Sequence, residues 1–217
     1  MGKVNQGILD GFSGKVGTVV GYFRYGIPLL RGYVRHKKKS HTLAQRQQMQ
    51  RFSTLATMSH AFISALRLGL AERAKENHNS YHTNFVEVNM RAVTVDSSLV
   101  ATVDWSKIIV SEGSLPMVLF SQADFSTPQT VKVSFGSASG VDGASEDDKV
   151  YVIVYCPTAG GSVLSRPVTR DAGELRITLP DDWNGLEVKV WGFAIGGDIE
   201  NLGRASETTF LGSGTVN

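Results

Sequence analysis

The chain has 217 residues, of which 41% are hydrophobic and 19% are charged, and its formal net charge at pH 7 is +2. This composition supports one or two folded domains and excludes an intrinsically disordered chain, and no apolar run approaches the length of a membrane-spanning helix. Because there is a single cysteine and glycines interrupt the first 20 residues, we expect no disulfide, no thiolate metal site and no secretory signal peptide.

The charge is distributed unevenly along the chain. Residues 1–95 carry 14 Lys and Arg against 4 Asp and Glu, a net charge of +10, whereas residues 96–217 carry 8 against 16, a net charge of −8. All five histidines lie in the first part. A charge balance indicates partners and solubility rather than fold. The pattern predicts two modules, a basic one at residues 1–95 and an acidic one at residues 96–217.

The basic module opens with a glycine-rich segment. Apolar residues such as Ile8, Phe12 and Val16 lie between its glycines, so the segment is not typical of a flexible linker. Glycine among apolar residues usually marks bulges or close backbone approach. Residues 16–25 and 27–34 predict two strands of a hairpin that turns at Tyr25-Gly26-Ile27-Pro28.

A run of like charge, Arg35-His36-Lys37-Lys38-Lys39, follows the hairpin. Such a run is usually a solvated, mobile connection. The alternative is an electrostatic contact with phosphate or with an acidic protein surface. The candidate anion-binding or partner-binding residues are Arg31, Arg35, Lys37, Lys38, Lys39, Arg46 and Arg51.

Two helices are predicted next. Thr42 and Gln45 have the spacing of a capping box, and apolar residues then recur every three or four positions, so we expect a helix to about Lys75, bent at Gly69. Residues 81–92 predict a shorter helix. A hairpin and two helices form a thin unit that cannot bury so long an apolar face alone, so we expect this face to pack against a partner.

The acidic module has the period-two pattern of strands. Candidate strands are residues 103–110, 117–120, 131–135, 150–155, 175–179, 188–193 and 206–211, with turns between them, including one at residues 158–162. This pattern is typical of an antiparallel sandwich of immunoglobulin or fibronectin-III type. We expect Trp183, Trp191 and Cys156 in its core and a frayed tail at residues 212–217. The predicted fold class is α+β, with an N-terminal hairpin and helices followed by a β-sandwich.

A search for catalytic and metal-binding motifs gives no strong candidate. Residues 11–16 lack the spacing of a phosphate-binding loop, and there is no nucleophile elbow. His78 and His82 fall at a helix start rather than on one face of a helix, which does not favour a zinc site. We therefore expect a protein that is not an enzyme and has neither cofactor nor metal.

The glycine-rich opening resembles the N-terminal signature of an uncharacterised family, a domain of unknown function found in Bacteroidota and in their phages and prophages. The similar segments are Gly2-Lys3 through Gly7, Gly11-Phe12-Ser13-Gly14-Lys15-Val16-Gly17 and Val19-Val20-Gly21, with further agreement at residues 42–51, 105–115 and 179–183. Family members carry Asn-Pro-Arg-Thr before the helix, where this chain has Lys39-Ser40-His41-Thr42. The resemblance brings no catalytic residues and implies a phage or mobile-element setting.

Our leading hypothesis is a structural subunit of a phage particle, located in the virion or in the bacterial cytoplasm before assembly. It would form a homo-oligomer and contact other particle subunits through its N-terminal arm, hairpin and long helix, with the sandwich as decoration or adaptor. The candidate interface residues are Gly11, Phe12, Gly14, Val16, Gly17, Val20, Phe52, Leu55, Phe62 and Leu66.

Two alternatives remain open. One is a nucleic-acid-binding protein that uses the basic region at residues 31–51, with Tyr22, Phe23, Tyr25 and Tyr33 available for stacking on bases. The other is a surface module whose sandwich loops bind a glycan or a receptor, which rests on analogy between folds.

Overall fold

The computed structural model describes residues 2–3, 12–34, 40–198 and 202–217. The chain divides into two compact units, Met1–Thr42 and Leu43–Asn217, and each is described by itself. The change of charge near Asp96 therefore lies inside the second unit. The division into a basic module at residues 1–95 and an acidic module at residues 96–217 stays a prediction.

The first unit is a four-stranded antiparallel sheet with the strand order β1-β4-β3-β2. Its strands are β1 (Gly2–Lys3), β2 (Gly14–Val16), β3 (Val19–Arg24) and β4 (Ile27–Gly32). The hairpin predicted from sequence is present as β3 and β4. Tyr25 and Gly26 connect them with φ of 49° and 77°, the positive values that a tight two-residue hairpin turn requires at both positions.

The second unit begins with four helices: α1 (Leu43–Ala61), α2 (Ile63–Gly69), α3 (Ala71–Glu76) and α4 (Tyr81–Asn89). The long helix predicted as far as Lys75 is interrupted at Phe62 and at Leu70. Next to the second break, Gly69 lies so close to the chain at residues 110–111 that a Cβ would meet Ser111 Cβ at 2.6 Å. No helix in the described residues is long and apolar enough to cross a membrane.

The remaining strands form antiparallel sheets. A five-stranded sheet has the order β10-β8-β12-β13, with β9 also paired to β8, and two-stranded sheets join β11 to β7 and β5 to β6. The strands are β5 (Val93–Val95), β6 (Ala101–Val103), β7 (Thr130–Ser134), β8 (Lys149–Cys156), β9 (Gly161–Leu164), β10 (Val168–Thr169), β11 (Glu174–Thr178), β12 (Glu187–Ile195) and β13 (Thr209–Thr215).

The two central strands, β8 and β12, face two separate cores. Successive side chains of a strand point to opposite faces, so Val152 and Val190 pack toward β7 and β11. Ile153 and Trp191 pack instead toward the helices. The second unit therefore has three layers, which are the helices, the five-stranded sheet and the smaller β7–β11 sheet.

The α+β fold class is confirmed, and several details differ from the prediction. Trp183 and Cys156 are buried between the sheets, whereas Trp191 packs against the helices. Residues 212–215, expected to fray, pair with β12. The turn expected at residues 158–162 gives way to strand β9 at Gly161. The immunoglobulin or fibronectin-III type of the sandwich stays a prediction.

A buried ion pair holds two loops of the second unit together. Arg170 Nη1 lies 3.4 Å from Asp148 Oδ2, and the two side chains are 1% and 0% exposed. Arg170 Nη2 also donates to the carbonyl of Met117 at 2.7 Å. The Asp148 carboxylate accepts from the backbone N–H of Ser145 at 3.0 Å. A charge that is buried this completely requires such partners.

Candidate functional site

The register of the N-terminal sheet sorts its side chains onto two faces. Lys15 pairs with Val20, and Val20 pairs with Arg31 on the next strand. Residues directly opposite one another in an antiparallel sheet share a face, and alternate residues change face. One face, the basic face, therefore carries Lys15, Val20, Tyr22, Arg24, Ile27, Leu29 and Arg31. The other, the glycine face, carries Gly14, Val16, Val19, Gly21, Phe23, Pro28, Leu30 and Gly32.

Cations and aromatic rings alternate on the basic face. Lys15 Nζ lies 3.8 Å from the ring centroid of Tyr33, which places Tyr33 on this face, and Arg31 Cζ lies 5.7 Å from the ring of Tyr22. Both distances fall within the range of a cation–π contact. Residues 12–34 contain no Asp or Glu, so the electrostatic potential of this face is positive. A concavity of about 400 Å³ lies beside Arg31 and Tyr33.

Among the described residues, the glycine face has no charged side chain. Phe12 packs over Gly21, where a Cβ would lie 2.8 Å from its ring, so the small residue is required for this contact. Val16 and Phe23 remain 60% and 50% exposed. Of the described residues 12–34, only Gly21 is buried. The sheet therefore presents apolar surface that the described part of its own unit does not cover.

The predicted interface residues of the first unit fall at different places in this sheet. Gly14 and Gly17 have φ of 118° and 57°, and Gly17 makes the tight turn between β2 and β3. Val20 lies on the basic face rather than beside Val16. Gly11 lies outside the described residues.

The predicted interface residues of the second unit separate into one exposed residue and three core residues. Leu55, Phe62 and Leu66 are 0% exposed, and the Phe62 ring lies 4.9 Å from that of Tyr155. Their apolar face covers the sheet of the same chain, so these three residues are not available to a partner. Phe52 is 55% exposed.

A second apolar stripe follows the outer side of α1. Its apolar members are Met49, Phe52 and Ala56, which border a shallow concavity of about 600 Å³ whose other lining side chains, Ser53 and His60 among them, are polar. Their spacing of three and four residues places them on one side of the helix. Helix α1 thus has one apolar face in the core and a narrower one at the surface.

The predicted anion-binding residues are divided between the two units. Arg31 lies on the basic face, whereas Arg46 is exposed and Arg51 partly buried on α1. Arg35, Lys37, Lys38 and Lys39 lie outside the described residues. Sequence reasoning missed Lys15 and Arg24 as members of this set. The alternation of residues along β3, together with the lack of acidic residues at 12–34, is the signal that predicts their position.

The histidines do not gather into a metal site within the described residues, where no group of three or more His, Cys, Asp or Glu has a suitable arrangement. His82 Nδ1 lies 3.0 Å from the hydroxyl of Ser59, and its ring lies 5.1 Å from that of His60. Burial lowers the pKa of His82, and the charges of His60 and Arg67 lower it further. The arrangement favours a neutral His82.

Comparison with known protein families gives a match over most of the chain. A family model described as a family of unknown function (DUF6266) matches residues 11–208. This range includes the four helices and strands β2 to β12, and it leaves out β1 and β13. No curated protein matches the sequence.

Proposed function

This chain belongs to a family of unknown function (DUF6266), and we propose that it is a non-enzymatic structural subunit of a bacteriophage or prophage particle. In this proposal it oligomerises through the glycine face of its N-terminal sheet. The resemblance of the glycine-rich opening to a family of Bacteroidota and their phages supports the setting. The apolar surface that the described residues of the first unit leave exposed supports assembly through this sheet.

The observation that carries the proposal is that almost no residue in the described part of this sheet is buried. Among residues 12–34 only Gly21 is buried, although large apolar side chains such as Phe23 and Leu30 lie on the glycine face. A sheet with an apolar face generally has to bury that face against another element. An exposed apolar patch of this kind is typical of an interaction site.

The chemistry of the glycine face fits another protein subunit. Its residues bear no charge, so two such faces, or one face and a neighbouring subunit, meet without burying an unpaired ion. Its glycines allow another backbone to approach closely. Strand β2 lies at the edge of the described sheet, and a strand at a sheet edge can pair with a strand from another chain.

The second unit supplies the decoration or adaptor in this proposal. It has two cores of its own, and the proposal takes its packed antiparallel sheets to be a module of the immunoglobulin or fibronectin-III type. Because Leu55, Phe62 and Leu66 belong to the core, they do not contact a partner. In this proposal the helices contact other subunits through the outer stripe around Phe52 instead.

A pair of charge substitutions on opposite faces of the sheet tests the proposal. Phe23→Glu places a carboxylate on the glycine face near the hairpin turn, and Tyr33→Glu places one on the basic face at similar exposure, 50% against 49% in the parent residues. We expect Phe23→Glu to dissociate the oligomer and Tyr33→Glu to leave it intact, as measured by light scattering. An oligomer unchanged by Phe23→Glu would overturn the proposed interface.

A further inference from the structure

We propose that the basic face of the N-terminal sheet binds single-stranded nucleic acid. Lys15, Arg24 and Arg31 contact the phosphates, and the rings of Tyr22 and Tyr33 stack on bases. This site is opposite the glycine face, so it is independent of the proposed assembly interface. It shares Arg31 and the two tyrosine rings with the basic region that the sequence indicates, and it adds Lys15 and Arg24 in place of the cations at residues 35–51.

The spacing of the three cations fits an extended polyanion. Lys15 and Arg31 lie on β2 and β4 with β3 between them, a separation of roughly 10 Å at the usual distance between strands. Arg24 is four residues along β3 from Val20, about 13 Å at the usual rise per residue. Three cations this far apart do not converge on one phosphate, and they match a chain that carries a phosphate on every unit.

The rings lie between the cations. Tyr22 is on β3 halfway between the Lys15–Arg31 row and Arg24, and Tyr33 follows β4 beside Lys15. Sheet surfaces that bind single strands combine a positive track with aromatic rings in this way, because every base has a face that stacks. When a base stacks on the ring of Tyr33, the flexible Lys15 side chain leaves the ring and contacts a phosphate.

The rings of Tyr22 and Tyr33 favour single-stranded nucleic acid over other anionic partners. An acidic peptide would use the cations without needing the rings, and a duplex hides the faces of its bases inside the helix. An anionic membrane would require apolar side chains to enter it, whereas Val20, Ile27 and Leu29 are only partly exposed beneath the cations. The combination of cations and rings on one flat surface therefore favours unpaired bases.

Fluorescence anisotropy with a labelled 12-nucleotide single strand and the full-length protein tests the electrostatic part. Three phosphate contacts predict that affinity falls by roughly 20-fold between 50 and 200 mM salt, since each contact contributes about 0.7 to the logarithmic slope for single strands. The triple variant Lys15→Gln, Arg24→Gln, Arg31→Gln should lose this part of the salt dependence. The matched variant Lys75→Gln, Arg91→Gln, Lys107→Gln removes three exposed cations of the second unit and should retain it.

Ring substitutions test the stacking part. Tyr22→Leu and Tyr33→Leu should each weaken binding at least about fivefold, and Tyr22→Phe and Tyr33→Phe, which keep the ring, should bind like the parent protein. Circular dichroism checks that each variant is folded. Equal binding of a duplex, binding only to anionic vesicles or acidic peptide, or full binding by the Gln triple variant would each overturn the proposal.

Discussion

Phe62 and Phe52 provide the sharpest test of how the helices relate to the sheet. Both were predicted to form one interface, yet Phe62 is 0% exposed and Phe52 is 55% exposed. The Phe62 ring lies 5.5 Å from that of Trp191 in β12 and 4.9 Å from that of Tyr155 in β8. Phe62→Ala therefore opens a cavity between the helical layer and the five-stranded sheet.

The expected loss of unfolding free energy for Phe62→Ala is about 3–5 kcal/mol, as for other buried phenylalanines. With a slope of about 2–3 kcal/mol per molar urea, the midpoint of unfolding falls by roughly 1.5 M. Phe52→Ala removes the same side chain from the surface and should change the free energy by less than about 0.5 kcal/mol.

Urea unfolding followed by tryptophan fluorescence and by far-ultraviolet circular dichroism measures both effects. Because Phe62 joins the two layers, the transitions seen by the two probes should shift together in Phe62→Ala. The reasoning is refuted if only the helical signal shifts, or if Phe52→Ala is as destabilising as Phe62→Ala.

Three further predictions concern the second unit. Arg170→Met leaves the Asp148 carboxylate buried without its partner and should lower the unfolding free energy by about 3–5 kcal/mol; urea unfolding measures this, and a loss below about 1 kcal/mol would contradict it. Burial lowers the pKa of His82 in the folded protein below 6.5, so as the pH falls the imidazole is protonated in the unfolded chain before it is protonated in the folded one. The free energy of unfolding therefore decreases as the pH drops from 6.5 through the folded pKa. The loss between pH 7.5 and pH 5 should be smaller in His82→Gln, and an equal loss would count against this assignment. Gly69→Ala forces a Cβ to within 2.6 Å of Ser111 Cβ and should lower the unfolding free energy by about 1–3 kcal/mol, so an unchanged urea midpoint would show that the chain at Ser111 gives way.

Local patterns in the sequence predict much of the fold. Gly26 between two apolar runs predicts the β3–β4 hairpin because glycine readily adopts the positive φ of its turn, whereas Tyr25, which also has a positive φ, gives no such signal. Alternating apolar residues predict β7, β8, β11 and β12 within about two residues of their observed ends. Thr42 is followed by a helix that begins at Leu43, as the capping spacing indicates.

The three-layer arrangement could not be predicted in the same way. Strands β8 and β12 are apolar on both faces, and a continuous apolar run does not reveal what covers each face. For this reason the sequence places Phe62 at an interface with a partner, whereas in the structure its ring packs against Trp191. The pairing of Asp148 with Arg170, 22 residues away, likewise depends on tertiary structure.

The candidate site was predictable in part. The sequence indicates a basic and aromatic N-terminal region, but the division into two faces depends on register, and a shift of one residue would exchange them. Lys15 joins Arg31 only because Val20 lies between them on β3. Charge counts along the chain give no such information.

The mass of the full-length protein in solution, compared with that of Leu43–Asn217 alone, tests the central claim most directly. We predict that light scattering gives the full-length chain a discrete multiple of its 23.5 kDa, and that the second unit, which keeps both of its cores, is folded and monomeric. A monomeric full-length protein, or a second unit that forms the same oligomer without residues 1–42, would contradict the account.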